Sequence, residues 1–257
     1  MTIIQNISIN IDPTNPGHFF ACCGLLELFN RLWPGAEGYF NSELFTLEIP
    51  TEQNELFSKF LEKLRMAPLI TDKDNVDLKI CPFRLGDPFN IRLDWWLDEE
   101  TGGNELKTWA GQQRVIDIAK AMKIALIDCP KHSDILNYQT IVKDIEKKKA
   151  VDPFYFDPRR FVHALHTGFS TDTLGMDVPA FPAVEFFTLI GLQRFRPVPD
   201  SRRTFRYTIW SVPLNTIIAP AALHGIIPGG ETYRFRLLSR DAQDRYKGFD
   251  FARKLGG

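Results

Sequence analysis

Apolar and polar positions alternate around Ile7, Ile9 and Ile11, and this pattern predicts a strand over residues 3–11. Asn15-Pro16 follows as an N-cap with proline at the first helical position. The run GHFFACCGLLELFNRL is apolar on nearly every face, so it predicts a helix surrounded by protein that ends at Trp33-Pro34-Gly35. GYFNSELFTLEI reads as a hairpin turning near Asn41-Ser42. From Thr51 to Arg65, Leu56, Phe57, Phe60, Leu61 and Leu64 mark one face of an amphipathic helix. LKICPF and FNIRL predict strands joined across Gly86-Asp87-Pro88. A helix is expected from about Gln112 to Leu126, with Val115, Ile116, Ala119 and Met122 on one side. Another is expected from a cap at Ser133 to a solvated last turn at Lys147-Lys148-Lys149.

The second part opens with FYFDPRRFVHALHTGFS. A proline-rich loop leads to AFPAVEFFTLIGLQRF, a second very apolar helix with Pro182 near its start. TFRYTIWSV and TYRFRLL read as strands, and RYKGFDFAR is a short aromatic end segment. In TYRFRLL, Arg234 and Arg236 alternate with Tyr233, Phe235 and Leu237, so both arginines share one face; Arg202 and Arg206 have matching parity in the preceding strand. The pattern predicts an α+β fold with mainly antiparallel hairpins and two very apolar core helices. Residues 1–150 form an N-terminal region and 151–257 an arginine-rich C-terminal region, either separate or packed as one unit. The two apolar helices also carry a faint internal echo, each with proline and small residues before it and an arginine near its end.

Charge changes the picture more than composition does. The net charge is -1, but residues 1–150 hold 17 basic and 22 acidic side chains, whereas residues 151–257 hold 14 and 10. Twelve of the arginines lie in that second part, beside only two lysines. Arginine serves bidentate phosphate contact, base stacking and buried ion pairs. The four cysteines, Cys22, Cys23, Cys81 and Cys129, form no CxxC pair and suit a reduced cytoplasm. No apolar run reaches membrane-spanning length, and MTIIQNISINIDP has neither the charged nor the apolar stretch of a signal peptide.

Enzyme signatures are missing: no phosphate loop, no GxSxG elbow and no HExxH. His163 and His166 could share a helical face with Asp157 or Asp172 nearby, but an HxxH pair is more often structural, and no metal or cofactor is expected. Two binding constellations stand out. LDWWLDEETGGNELKTWAGQQR, residues 93–114, combines Trp95, Trp96 and Trp109 with three glycines. An extended Trp-Trp pair points to opposite faces, leaving one ring exposed for stacking. Lys107, Gln112, Gln113 and Arg114 add charge and hydrogen-bond reach at a helix start. The alternative is three core tryptophans above a plain glycine turn. The other constellation is Arg159, Arg160, Arg194, Arg196, Arg202 and Arg203, with Arg206 close by, on loops and element ends. Asp152, Asp157 or Asp200 could instead hold these arginines internally.

NPGHFFACCGLLELFNRLWPGAEGYF, LDWWLD…LKTWAGQQ, FDPRR…GFSTDTLGMDVPAFPAVE, GLQRFRP and YRFRLLSR together resemble the compact large-subunit-like protein of type I-G (formerly I-U) CRISPR systems. The resemblance touches segments from residue 15 to about 251. It implies a cytoplasmic, non-catalytic subunit of Cascade, the RNA-guided surveillance complex. The implied partners are other Cascade subunits, the CRISPR guide RNA, target double-stranded DNA and a recruited helicase-nuclease. The implied work is binding near the protospacer-adjacent motif and support of R-loop formation. Under that reading Trp95 or Trp96 is a wedge at the first opened base pair, Gln112 and Gln113 reach base edges, and the loop arginines hold phosphates. Residues 200–257 look strand-like, where other large subunits often end in a helical bundle. A scaffold subunit that binds only protein and guide RNA is the first alternative, and a stand-alone nuclease or ligand-converting enzyme the second.

Overall fold

In the computed structural model, Asn15 Oδ1 accepts the N–H of His18 at 3.2 Å and Pro16 opens helix α1 (Pro16–Leu32), as the sequence predicts. The structure describes residues 3–72, 79–97, 104–109, 113–144, 146–160, 178–239 and 247–256. Helix α1 is buried on almost every face and stops at Trp33, where Gly35 takes φ +91 and donates its N–H to Asn30 Oδ1.

The other described helices are α2 (Leu56–Met66), α3 (Val115–Leu126), α4 (Pro182–Gly191) and the short α5 (Ala219–Leu223). The two apolar helices α1 and α4 pack directly on each other. A Cβ added at Gly24 would sit 2.0 Å from the Phe187 carbonyl oxygen, and one at Gly191 would sit 2.1 Å from that of Phe20. Glycine at both positions therefore sets the backbone approach, and Thr188 Oγ1 closes it by donating to the Gly17 carbonyl at 2.9 Å. Lys123 on α3 donates to the Arg65 and Ala67 carbonyls at the end of α2, at 3.1 and 2.5 Å; burial lowers its pKa to about 8.

Three antiparallel sheets surround these helices. The first has the order β1-β3-β2, built from Ile4–Asn10, Leu44–Pro50 and Glu37–Asn41. Its β2–β3 hairpin turns at Ser42, at φ +53, where the sequence places it. The second pairs β4 (Leu69–Thr71), β5 (Phe83–Leu85) and β6 (Ile91–Leu93). The third has the order β10-β9-β8-β7, with β11 also paired to β9. Its strands are β7 (Val198–Ser201), β8 (Thr204–Ile209), β9 (Glu231–Ser239), β10 (Lys247–Phe249) and β11 (Arg253–Lys254). The chain beyond β8 continues onto the edge of β2, where the N–H of Phe40 donates to Trp210 O at 2.8 Å and Gly38 bridges Leu214.

Aromatic rings from the third sheet close on α1. Phe19 stacks on Tyr207 at 4.4 Å, and Phe20 meets Tyr207, Phe235 and Phe249 edge-on. Full burial of such a ring is worth roughly 1.5–3 kcal/mol, so this layer is a main source of stability. One hydrophobic cluster runs through residues of both the N-terminal and the C-terminal regions. The expected α+β architecture is present, and among the described residues of 200–256 strands outnumber helix. No described helix is long and apolar enough to cross a membrane.

Two local expectations are corrected. Of the strand expected over 78–83, Leu78 lies outside the described residues, and from Lys79 on the strand begins only at Phe83, because Pro82 lacks the N–H a ladder needs. The helix from Ser133 to Lys149 is a short 3-10 helix, His132–Asn137, followed by a small loop in which Lys143 bridges Ala150. Asp144 Oδ1 accepts the N–H groups of Glu146 and Lys147 at 2.9 and 2.7 Å, so an aspartate turn replaces the helix; these bonds lower its pKa.

Candidate nucleic-acid interface

The tryptophan segment turns inward. Leu97 N–H bonds back to Asp94 O at 2.9 Å, so Trp95 and Trp96 lie in a turn and the strand alternation that exposes one ring does not apply. Both are 1% exposed and Trp109 is 4% exposed. The three rings meet edge-on at centroid distances of 5.7 to 5.9 Å. Trp95 Nε1 donates to Leu189 O at 3.0 Å and Trp96 Nε1 to Ile80 O at 2.7 Å. Neither ring is presented to a base. Lys107 Nζ lies 5.5 Å from the Trp109 centroid, Gln113 Nε2 donates to Asp152 Oδ2 at 3.2 Å, and Arg114 Nε is 3.6 Å from Asp117 Oδ2. Gln112, Gly102, Gly103 and Gly111 lie outside the described residues, as do His163, His166 and Asp172.

The arginines divide into two groups. Arg159 is held inside: Nη2 is 2.6 Å from Asp157 Oδ2, Nη1 donates to Asn137 Oδ1 at 2.7 Å, and the guanidinium lies 3.6 Å from the Phe181 ring centroid. Arg160 is 9% exposed and lies 5.9 Å from the Tyr155 ring. Arg194 pairs with Glu27 at 2.8 Å. Arg196 and Arg202 are exposed and have no carboxylate partner among the described residues. Arg203 forms the β7–β8 turn at φ +59, and its N–H donates to Glu105 Oε1 at 2.7 Å.

Among the described residues, the densest open cluster of guanidinium groups is on the third sheet. Arg206 stands directly opposite Arg234, and Arg234 directly opposite Arg253, so three arginines form a row across β8, β9 and β11. Directly opposed residues share a face, and Arg236 lies on it two residues along β9. Adjacent strands are about 4.8 Å apart, so the row extends roughly 10 Å. The opposite face carries Tyr207, Tyr233, Phe235 and Leu237, whose burial fixes which way the arginines point. Among the described residues one carboxylate serves the row. Asp200 Oδ1 is 3.1 Å from Arg206 Nε, and Oδ2 is 2.9 Å from Arg234 Nε. Arg236 and Arg253 are exposed and have no carboxylate partner among the described residues. Among the described residues four guanidinium groups share one carboxylate on this face, an excess of positive charge.

Sequence parity already puts Arg234 and Arg236 together and Arg206 in the adjacent strand, yet the sequence-based site went to loop arginines instead. Arg253 belongs to a two-residue strand too short for any periodic signal.

Two of the strongly perturbed titratable groups, Glu185 and His18, are buried in the fold. Glu185, fully buried, accepts the N–H groups of Phe156 and Asp157 at 3.2 and 3.1 Å; desolvation pushes its pKa up to about 8. His18 Nδ1 accepts the Asp12 N–H at 2.9 Å, and desolvation lowers its pKa to about 4. Asn15 Nδ2 donates to Asp157 Oδ1 at 3.2 Å. Together these groups fasten residues 152–160 beneath α1 and α4. All four thiols are buried, and burial raises their pKa values, which holds them protonated. Among the described residues no group of three or more His, Cys, Asp or Glu could hold a metal ion. No protein-family model, curated protein or solved structure matches this chain.

Proposed function

We propose that this chain is a non-catalytic, cytoplasmic subunit of an RNA-guided CRISPR surveillance complex and that it grips a nucleic-acid backbone on the outer face of its third sheet. The sequence strings that resemble the type I-G large-subunit-like protein support the assignment to Cascade. The observation that carries the reading is the row of Arg206, Arg234 and Arg253, with Arg236 beside it and Asp200 as the shared carboxylate. Guanidinium groups so placed take phosphate oxygens bidentately and read no sequence. Matching of letters is left to guide pairing, and cleavage to the helicase-nuclease that the complex recruits. In this reading target DNA near the protospacer-adjacent motif lies along the row while the R-loop opens. With the tryptophans buried, strand opening draws on this backbone grip and on other subunits.

The test is a triple variant, Arg234→Gln, Arg236→Gln and Arg253→Gln, in the assembled complex. These side chains are exposed, so the variant should fold and assemble. Its target affinity should fall, and the log-log salt slope should flatten by up to about 2.7 for duplex or about 2.1 for a single strand. An unchanged slope with assembly intact defeats the reading. That result would favour a scaffold subunit instead. One feature supports this alternative: Val212, Ile217, Ile218 and Ile226, in the segments that flank α5, are 48%, 82%, 46% and 73% exposed, apolar side chains suited to a protein neighbour.

A further inference from the structure

Glu27 sits on α1 with only 4% of its surface exposed, and two arginines converge on it. Arg31 Nε lies 2.9 Å from Oε1, and Arg194 Nε lies 2.8 Å from Oε2. Both guanidinium side chains remain open to solvent, at 39% and 42%. Each guanidinium has five N–H donors in a planar fork. The Glu27 contacts occupy the Nε edges, with one longer contact from Arg194 Nη2 at 3.5 Å, and leave outward donors with no partner among the described residues. The carboxylate holds the two forks side by side and cancels only one of their two charges.

This pair is the shared wall of two hollows. One, of about 480 Å³, is bounded further by Asn30, Pro34, Asn215 and Ile217; the other, of about 330 Å³, reaches Arg92. The larger falls in the size range of small-ligand sites. It joins an apolar wall to polar edges. Asn215 Oδ1 is occupied by the N–H groups of Ile217 and Ile218, but its amide NH₂ has no partner among the described residues. Paired guanidinium forks take oxyanions bidentately, and phosphate offers an oxygen edge to each fork. An apolar wall beside an unpaired amide suits a planar heterocycle.

We infer that the Glu27–Arg31–Arg194 cleft binds a phosphate-bearing nucleotide unit, with the phosphate on the two guanidinium groups and the base in the larger hollow. The unit is either a free mononucleotide or one residue of a single strand. The site is separate from the arginine row and does not rest on it.

Calorimetric titration of the full chain with AMP, adenosine, inorganic phosphate and a single-stranded hexanucleotide tests the inference. AMP, the hexanucleotide or both should bind at least tenfold more tightly than adenosine, and Arg31→Gln and Arg194→Gln should each weaken that binding at least tenfold. AMP binding as tightly as the hexanucleotide identifies a free nucleotide; hexanucleotide binding alone identifies a strand. Should either arginine variant unfold, Asn215→Asp, outside the ion triad, places a carboxylate on the wall and should produce the same loss. Equal binding of AMP, hexanucleotide and adenosine overturns the inference, as does wild-type affinity in the folded variants. The dependence on Arg31 should persist in the Arg234→Gln, Arg236→Gln, Arg253→Gln chain, which separates failure here from failure of the sheet face.

Discussion

Arg159 and Arg234 both meet a carboxylate at short range, 2.6 and 2.9 Å, yet they belong to different kinds of region. Asp157 is fully buried and supports Arg159, Asn15 and the turn at residues 157–160. Asp200 is 24% exposed at its side chain and is shared between two arginines that are 41% and 48% exposed. In the first region the carboxylate is shut off from water and holds one arginine through several short contacts, so the pair is part of the fold. In the second the carboxylate is outnumbered and water competes, so the guanidinium groups stay available to an outside anion. Proximity to an acid does not separate a structural arginine from a binding one. The ratio of guanidinium to carboxylate groups and the depth of the carboxylate do.

The largest consequence falls on Arg159. Replacing it with Ala leaves Asp157 buried without its cation, and removing one member of such a pair costs about 3–5 kcal/mol. Urea unfolding at pH 7 should show this as a lower midpoint with an unchanged slope. Adding Asp157→Asn should return part of the loss, because the uncompensated charge is then gone. A cost below about 1 kcal/mol would place Arg159 with the exposed arginines and erase the contrast.

A smaller effect comes from the two titrating groups in the same buried region. Glu185 is raised to about 8, so its contribution to stability is complete below the ordinary glutamate range and is lost as pH rises through 8. His18 is lowered to about 4, so its contribution is present above the ordinary histidine range near 6.5 and is lost as pH falls through 4. Of these two groups only Glu185 gives a slope between about pH 6.5 and 8, a decline of up to about 1.4 kcal/mol per pH unit that the lowered Lys123 opposes as pH nears 8. Glu185→Gln should flatten that decline and His18→Asn the acid limb, both read from urea midpoints across pH. Asp157 and Arg159 also face this cluster, so the difference between variant and parent is the quantity to compare.

The same contrast governs what the sequence discloses. Asn15-Pro16, the apolar runs of α1 and α4, the Ser42 turn and the alternation around Arg234 and Arg236 are local signals, and the fold follows them. The tryptophan segment reads as a binding loop because three large rings and three glycines fall within 22 residues. Local pattern cannot show that Leu189 and Ile80, distant in sequence, accept the indole N–H groups and bring the rings inside. Nor can spacing reveal that Glu27 on α1 gathers Arg194 from beyond α4, or that a two-residue strand delivers Arg253 to Arg234. The exposed arginine row is half legible: parity sets its face, whereas strand order and register decide who stands beside whom.

The smallest stability effect should come from Asp200→Asn, and its sign on binding sharpens the comparison most. Arg206 and Arg234 would then face each other across the strands without the carboxylate between them. Like charges directly opposed destabilise, but exposure and water hold the cost to about 1 kcal/mol or less. Meanwhile the face gains one positive charge, so nucleic-acid affinity at low salt should rise and the salt slope should steepen by up to about 0.9 for duplex DNA. Salt titration of binding beside urea unfolding measures both. A loss of stability as large as that of Arg159→Ala, with affinity unchanged, would make Asp200 a structural anchor like Asp157, and the sheet face would then be an internal ion network, not a grip on phosphate.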